Sequence, residues 1–236
     1  SYLVRMVKEL TRKMKDSGVE WIGEIPEDWE IVRNKNLFGN KKEIVGNKFE
    51  TTDRLALTLN GVIDRDKFDS EGLQPTNFDT YQKVNKNNLI FKLIDLENIN
   101  TSRVGLAHKD GMVSPAYVVL YSNSLKKDIR YYHYFYLSMW HRNIFNMLGD
   151  GGVRSNLNKT DLLSLNTLKI NYNEQKSIAD FLDKKTQEID NIISKTKKAI
   201  EEYKRYKQSL ITETVTKGLD ENVQMKDSGI EWIGEI

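Results

Sequence analysis

From Glu174 to Val215 the sequence contains neither glycine nor proline. Within that stretch Leu182, Ile189, Thr196, Tyr203 and Leu210 fall at intervals of seven, and Ile192, Ala199 and Tyr206 follow three after Ile189, Thr196 and Tyr203. A mostly apolar seam at heptad spacing, with charged residues on the other faces, predicts one long α-helix. At 1.5 Å per residue it would reach on the order of 60 Å. Gly218 stands where a helix C-terminus places glycine. A single apolar stripe on so long a helix needs a partner helix.

The second constraint is a repeat. Residues 14–25 read MKDSGVEWIGEI and residues 225–236 read MKDSGIEWIGEI, differing only at Val19 and Ile230. An offset of 211 residues is too long for a solenoid, so the repeating unit is a whole domain with its connector. Trp21 and Ile22 are expected to be buried in a turn-rich docking segment.

Between these features the chain reads as mixed α and β. Apolar spacing over 2–14 predicts a short amphipathic helix, and 17–30 a loop or turn segment punctuated by Gly23 and Pro26. Arg54–Leu59, Asn88–Leu93 and Ala116–Tyr121 read as strands, with a hairpin turn at Asn60-Gly61. An aromatic-rich helix is expected over 129–147, broken by Gly149-Asp150-Gly151-Gly152, then a short helix capped by Asn158 or Thr160. The fold class is therefore α+β: one globular mixed α/β domain, then a long helix that pairs as an antiparallel coiled coil. The expected divisions are 1–25 (N-terminal helix and docking segment), 26–172 (globular domain), 173–217 (spacer helix) and 218–236 (linker and start of the repeated segment).

Composition removes several classes. There is no cysteine, hence no disulfide framework, thiolate zinc site or cysteine nucleophile. This fits a cytoplasmic protein. No run of 18 apolar residues predicts a membrane span, and Ser1 to Lys15 do not read as a secretory signal. Pro26, Pro75 and Pro115 are the only prolines, so the Pro-Pro pair of an adenine methyltransferase site does not occur. Gly149 to Gly152 lacks the Gly-Lys-Ser/Thr of a phosphate-binding loop. Asp95 and Glu97 lack the neighbouring lysine of a metal-dependent nuclease, and His108, His133 and His141 show no zinc spacing. No catalytic residues and no metal site are assigned. The aromatic cluster Tyr131, Tyr132, Tyr134, Phe135, Tyr136 and Trp140 reads as core or docking face.

Certain segments resemble the specificity subunit of type I restriction–modification systems, here in a half-length form with one target-recognition domain. They are MKDSGVEWIGEIPEDWE (14–30), VGLAHKDGMVSPAYVVLY (104–121), GGVRSNLNKTDL (151–162), NEQKSIADFLDKKTQEIDNII (173–193) and SLITETVTKGLD (209–220). Asn171-Tyr172-Asn173 stands where the family usually places a proline before the Glu-Gln pair. The resemblance implies sequence-specific reading of one half of a split site in double-stranded DNA. It implies docking of methyltransferase (modification) subunits and a motor-nuclease (restriction) subunit, with no chemistry in this chain. No cofactor is expected here; S-adenosylmethionine would belong to the methyltransferase partner. A half-length chain would dimerise through its helix, packing Leu182, Ile189, Ile192, Ala199, Tyr203, Tyr206 and Leu210, and two identical halves would read a palindrome.

Candidates for DNA contact are residues whose chemistry suits base edges or phosphates and which are expected on loops. Arg154, Ser155, Asn156, Asn158 and Lys159 follow the glycine-rich loop. Ser102, Arg103, His108 and Lys109 flank the 104–121 stretch, and Lys41, Lys42 and Lys48 cluster. Charge alone argues little. The whole chain is +2, residues 26–170 hold 20 basic against 17 acidic groups, and residues 171–224 hold 10 of each. The competing reading is a structural adaptor that uses helix and docking repeats without binding DNA.

Overall fold

The computed structural model describes residues 12–68, 78–97, 102–149, 156–219 and 224–235. The chain forms two compact units, Ser1–Ala179 and Asp180–Ile236.

The first unit is built on an antiparallel four-stranded sheet in the order β4-β11-β8-β9. These strands are β4 (Phe38–Gly39), β8 (Leu89–Phe91), β9 (Val104–Leu106) and β11 (Val118–Ser122). The three residues of β8 are all buried, because the sheet is covered on both faces. Side chains alternate along a strand. Leu89 and Phe91 join Phe38, Leu120 and Val104 under helix α1 (Ile129–His141), while Ile90 and Val119 join Leu55, Val84 and Val113 on the opposite face. That second face is covered by the hairpin of β5 (Leu55–Thr58) and β6 (Gly61–Asp64), and by the pair of β7 (Gln82–Val84) and β10 (Gly111–Val113). Gly105 permits the close approach. A Cβ there would lie 2.6 Å from both Leu57 Cδ1 and Val62 Cγ2. Gly105→Val is expected to destabilise the unit by about 2 kcal/mol through overpacking, read as a lower urea midpoint with unchanged slope.

The aromatic helix is core: Tyr131, Tyr132, Tyr136 and Met139 are buried, and Phe38 and Phe91 meet Tyr132 and Tyr136 edge-on at 5.1 and 5.0 Å. It is shorter than expected. Asn143 takes a left-handed conformation (φ 56°) and starts a separate helix, α2 (Ile144–Leu148). The hairpin turn is also displaced by one residue. Thr58 pairs with Gly61, so Leu59-Asn60 lies at the centre, and the positive φ of 87° falls on Gly61 after the turn.

The segment read as a loop over 17–30 is mostly turn, with one short strand inside it. β1 (Met14–Asp16) and β2 (Glu24–Pro26) form a hairpin around that turn, and β3 (Glu30–Arg33) pairs with β12 (Asn166–Lys169). The helix expected over 2–14 lies mostly outside the described residues, and Met14 opens a strand. Trp21 and Ile22 are half-buried instead of buried; Ile25, at 2% exposure, is the anchor.

Helix α3 (Lys159–Ser164) starts at Asn158, whose side chain accepts from Thr160 N and Asp161 N, while Asp161 accepts from Asn158 N. The long helix α4 spans Tyr172–Lys217. Its first turn explains the Glu-Gln pair. Asn171 Oδ1 accepts from Glu174 N at 2.9 Å, which is how a helix starts here without proline. Glu174 accepts from Trp29 Nε1 and from the Arg12 guanidinium, which also holds Asp28. These bonds raise the Arg12 pKa and lower that of Asp28. Gln175, 2% exposed, accepts from Asp128 N and donates to Ile170 O, both at 2.8 Å. The residues that begin the helix are thus bonded into the domain.

Candidate nucleic-acid interface

Arg103 and Ser102 were expected on the surface; both are 1% exposed. Ser102 Oγ donates to Val104 O at 2.7 Å. The Arg103 guanidinium donates to Ile94 O and Asp95 O, and burial lowers its pKa. A cation removed from water must be given acceptors, and these backbone carbonyls supply them. Asn156 Oδ1 accepts from Asp95 N, and Asn146 Nδ2 donates to Leu96 O. Three side chains therefore hold the 94–96 turn, whose Asp95 sits at φ 56°. Asn158 is likewise occupied in its helix cap. Lys159 is exposed at the first residue of α3. Arg154 and Ser155 lie outside the described residues.

His108 and Lys109 occupy the β9–β10 turn. Lys109 Nζ lies 2.7 Å from Asp53 and 3.0 Å from Asp64, and His108 Nε2 lies 2.9 Å from Asp64. Hydrogen bonding to Asp53 and then Asp64 raises the Lys109 pKa. Both candidate groups already face carboxylates.

Lys41, Lys42 and Lys48 are all exposed. The turn that carries them is tied to β7: Val45 N bonds to Tyr81 O, Lys83 N to Glu43 O, and Ile44 bridges Gln82. That pairing brings in Lys83, which the sequence reading missed. Its ammonium bonds Glu43 at 2.5 Å and lowers the Glu43 pKa, with Lys41 and Lys48 adding to the effect. Lys83 alone bonds the carboxylate, Lys41 and Lys48 act on it only through their charge, and Lys42 Nζ reaches Pro115 O at 3.3 Å. Lys83 is separated from Lys41 by 42 residues, so only the strand register could reveal it.

On α4, Leu182 and Ala199 are half-buried, and Ile189, Ile192, Tyr203, Tyr206 and Leu210 are 46–73% exposed. Ile193 and Ile200, outside the strict heptad set, are also exposed and widen the stripe. Among the described residues no group of three or more His, Asp or Glu side chains could hold a metal ion, and no helix is long and apolar enough to cross a membrane.

No family model matches the chain. Over 230 residues it is 29% identical to a Methanocaldococcus jannaschii protein named as the specificity subunit of a type I restriction enzyme, MjaX. The match covers 91% of this chain and 51% of that protein, so the chain spans about half the length of its curated relative. Two solved structures share the fold. One is a chain from a study of complex assembly and conformational transition in the type I restriction–modification system, with TM-score 0.57, 15% identity, and 92% of this chain matched to 52% of the other. The other is the HsdS subunit of Thermoanaerobacter tengcongensis, with TM-score 0.50, 14% identity, and 92% matched to 51%. The chain has the fold of one half of a type I restriction–modification specificity subunit and is similar in sequence to such a subunit along nearly its whole length.

Proposed function

We propose that this chain is a non-catalytic DNA-recognition subunit, reading one half of a split target and docking methyltransferase subunits in the cytoplasm. The observation that supports it most is the match of 91% of the chain to half of a named specificity subunit. The domain supplies the reading surface. The stripe on α4 supplies the contact between two copies, making a two-fold dimer suited to a palindromic split site. S-adenosylmethionine and strand cleavage belong to the methyltransferase and motor-nuclease partners.

The Lys41/Lys48/Lys83 cluster is the described surface best suited to phosphate. Phosphate neutralisation releases counterions, so affinity falls steeply with salt. Lys41→Ala/Lys48→Ala/Lys83→Ala is expected to weaken duplex binding by the methyltransferase complex about 100-fold in low salt. It should also flatten the log–log salt dependence by roughly 2–3. An unchanged slope in fluorescence anisotropy would show that these lysines do not meet phosphate. The adaptor reading predicts no salt-sensitive duplex binding at all. Sequencing the methylated motif in cells that express this chain with its partner tests the dimer: a split palindrome is expected, and an asymmetric motif overturns it.

A further inference from the structure

A cleft of about 420 Å³ opens in the first unit, within the size range of small-molecule sites. Three segments build it: the end of β3 with the turn after it, the 123–127 loop ahead of α1, and residues 169–175 leading into α4. Lys126, Lys127 and Lys169 line it, together with the neutral polar side chains of Asn36, Asn123 and Ser124. Among the described residues no carboxylate lines it. Its buried lining is uncharged. Burial raises the pKa of Tyr132, and Gln175 is bonded to Asp128 N and Ile170 O.

The loop is held in place by its own bonds. Ser122 Oγ donates to Ser124 O at 2.7 Å, and Lys126 N donates to Ser124 Oγ at 3.1 Å. Asn123 N and Nδ2 donate to Leu37 O and Asn36 O, both at 3.3 Å. Lys127 is half-buried. Its ammonium donates to Leu37 O at 2.7 Å and to Asn123 Oδ1, and lies 5.9 Å from the centre of the Phe38 ring. None of these partners carries a charge. Burial lowers the Lys127 pKa, and no carboxylate among the described residues offsets it. An ammonium taken from water without a counterion retains that cost until an anion arrives. Lys126 likewise has no ion pair among the described residues, whereas Lys169 bonds Glu30 at 2.9 Å.

We infer that this cleft binds the phosphate group of a small phosphate monoester, with Lys126 and Lys127 supplying most of the charge and Asn36 and Ser124 adding neutral hydrogen bonds. Lysine suits phosphate as a point charge. A phosphate monoester is close to a dianion at neutral pH, so it answers two ammoniums that lack counterions. A carboxylate, or one diester of a DNA strand, brings a single charge. None of these residues belongs to the exposed Lys41/Lys48/Lys83 cluster, and the site does not depend on DNA binding.

Backbone-amide NMR of the full chain, titrated with glycerol phosphate at constant ionic strength, tests this. The amides of Asn123, Ser124, Lys126 and Lys127 are expected to shift saturably, with a Kd of about 1 mM or tighter. Lys126→Gln/Lys127→Gln should weaken binding at least about tenfold, because charge-assisted bonds become neutral ones. Lys126→Gln alone, an exposed change that leaves the fold intact, should weaken it about threefold. Acetate, with one charge, should bind at least about tenfold more weakly than the monoester. Lys41→Ala/Lys48→Ala/Lys83→Ala should leave binding unchanged. Absence of saturable shifts overturns the inference. So do shifts indifferent to Lys126 and Lys127, and acetate binding as tight as the monoester's. Displacement of the monoester by a short DNA duplex overturns it too, because the cleft would then belong to the DNA surface.

Discussion

Asn34→Leu is expected to destabilise the first unit by about 4 kcal/mol, measured as a drop in urea-unfolding free energy. Asn34 is fully buried. Its Nδ2 donates to Leu162 O at 2.7 Å, and its Oδ1 accepts from Tyr136 OH at 2.6 Å. One side chain therefore joins the end of β3 to α3 and to the core helix α1. Leucine has similar volume but satisfies neither partner, and each orphaned buried group costs about 1–3 kcal/mol. Burial raises the Tyr136 pKa, so the hydroxyl remains a neutral donor in need of an acceptor. Tyr136→Phe alone should cost about 1–2 kcal/mol. The double variant should be less destabilised than the two single costs added, because it removes the hydroxyl that Asn34→Leu strands. Simple additivity would show that the two side chains do not act as one unit.

Ile189→Glu/Ile192→Glu is expected to raise the dimer dissociation constant at least about 100-fold, corresponding to about 3 kcal/mol. The two isoleucines are 54% and 63% exposed on α4, and pairing would bury both. Glutamates there would carry unpaired charge into an apolar seam, which costs several kcal/mol or keeps the helices apart. Lys198→Ala, outside the seam, should leave association unchanged. Sedimentation equilibrium reads both. A wild-type chain that is monomeric at micromolar concentration refutes pairing through this helix.

Periodicity and punctuation were legible directly. The long helix, its end at Gly218 (φ 79°), the apolar strands and the aromatic core helix all follow from local pattern, because side-chain spacing and glycine conformation are properties of short segments. The DNA-contact candidates were less legible. Residue type marks Arg103 as a base reader equally well as a buried tie, and which it is depends on what packs over it. Here the 94–96 turn lies against its guanidinium. His108 and Lys109 look basic in sequence, but Asp53 and Asp64 reach them from the β5–β6 side of the domain.

The repeat shows the same division. The sequence alone determined that residues 14–25 and 225–236 are one element used twice, since eleven shared residues encode the same turn and the same glycine conformations. Only the tertiary structure decided that one tryptophan is seated on Phe135 and the other is exposed. A hairpin's backbone is set by contacts within a dozen residues, whereas burial of its tryptophan needs a surface from elsewhere in the fold.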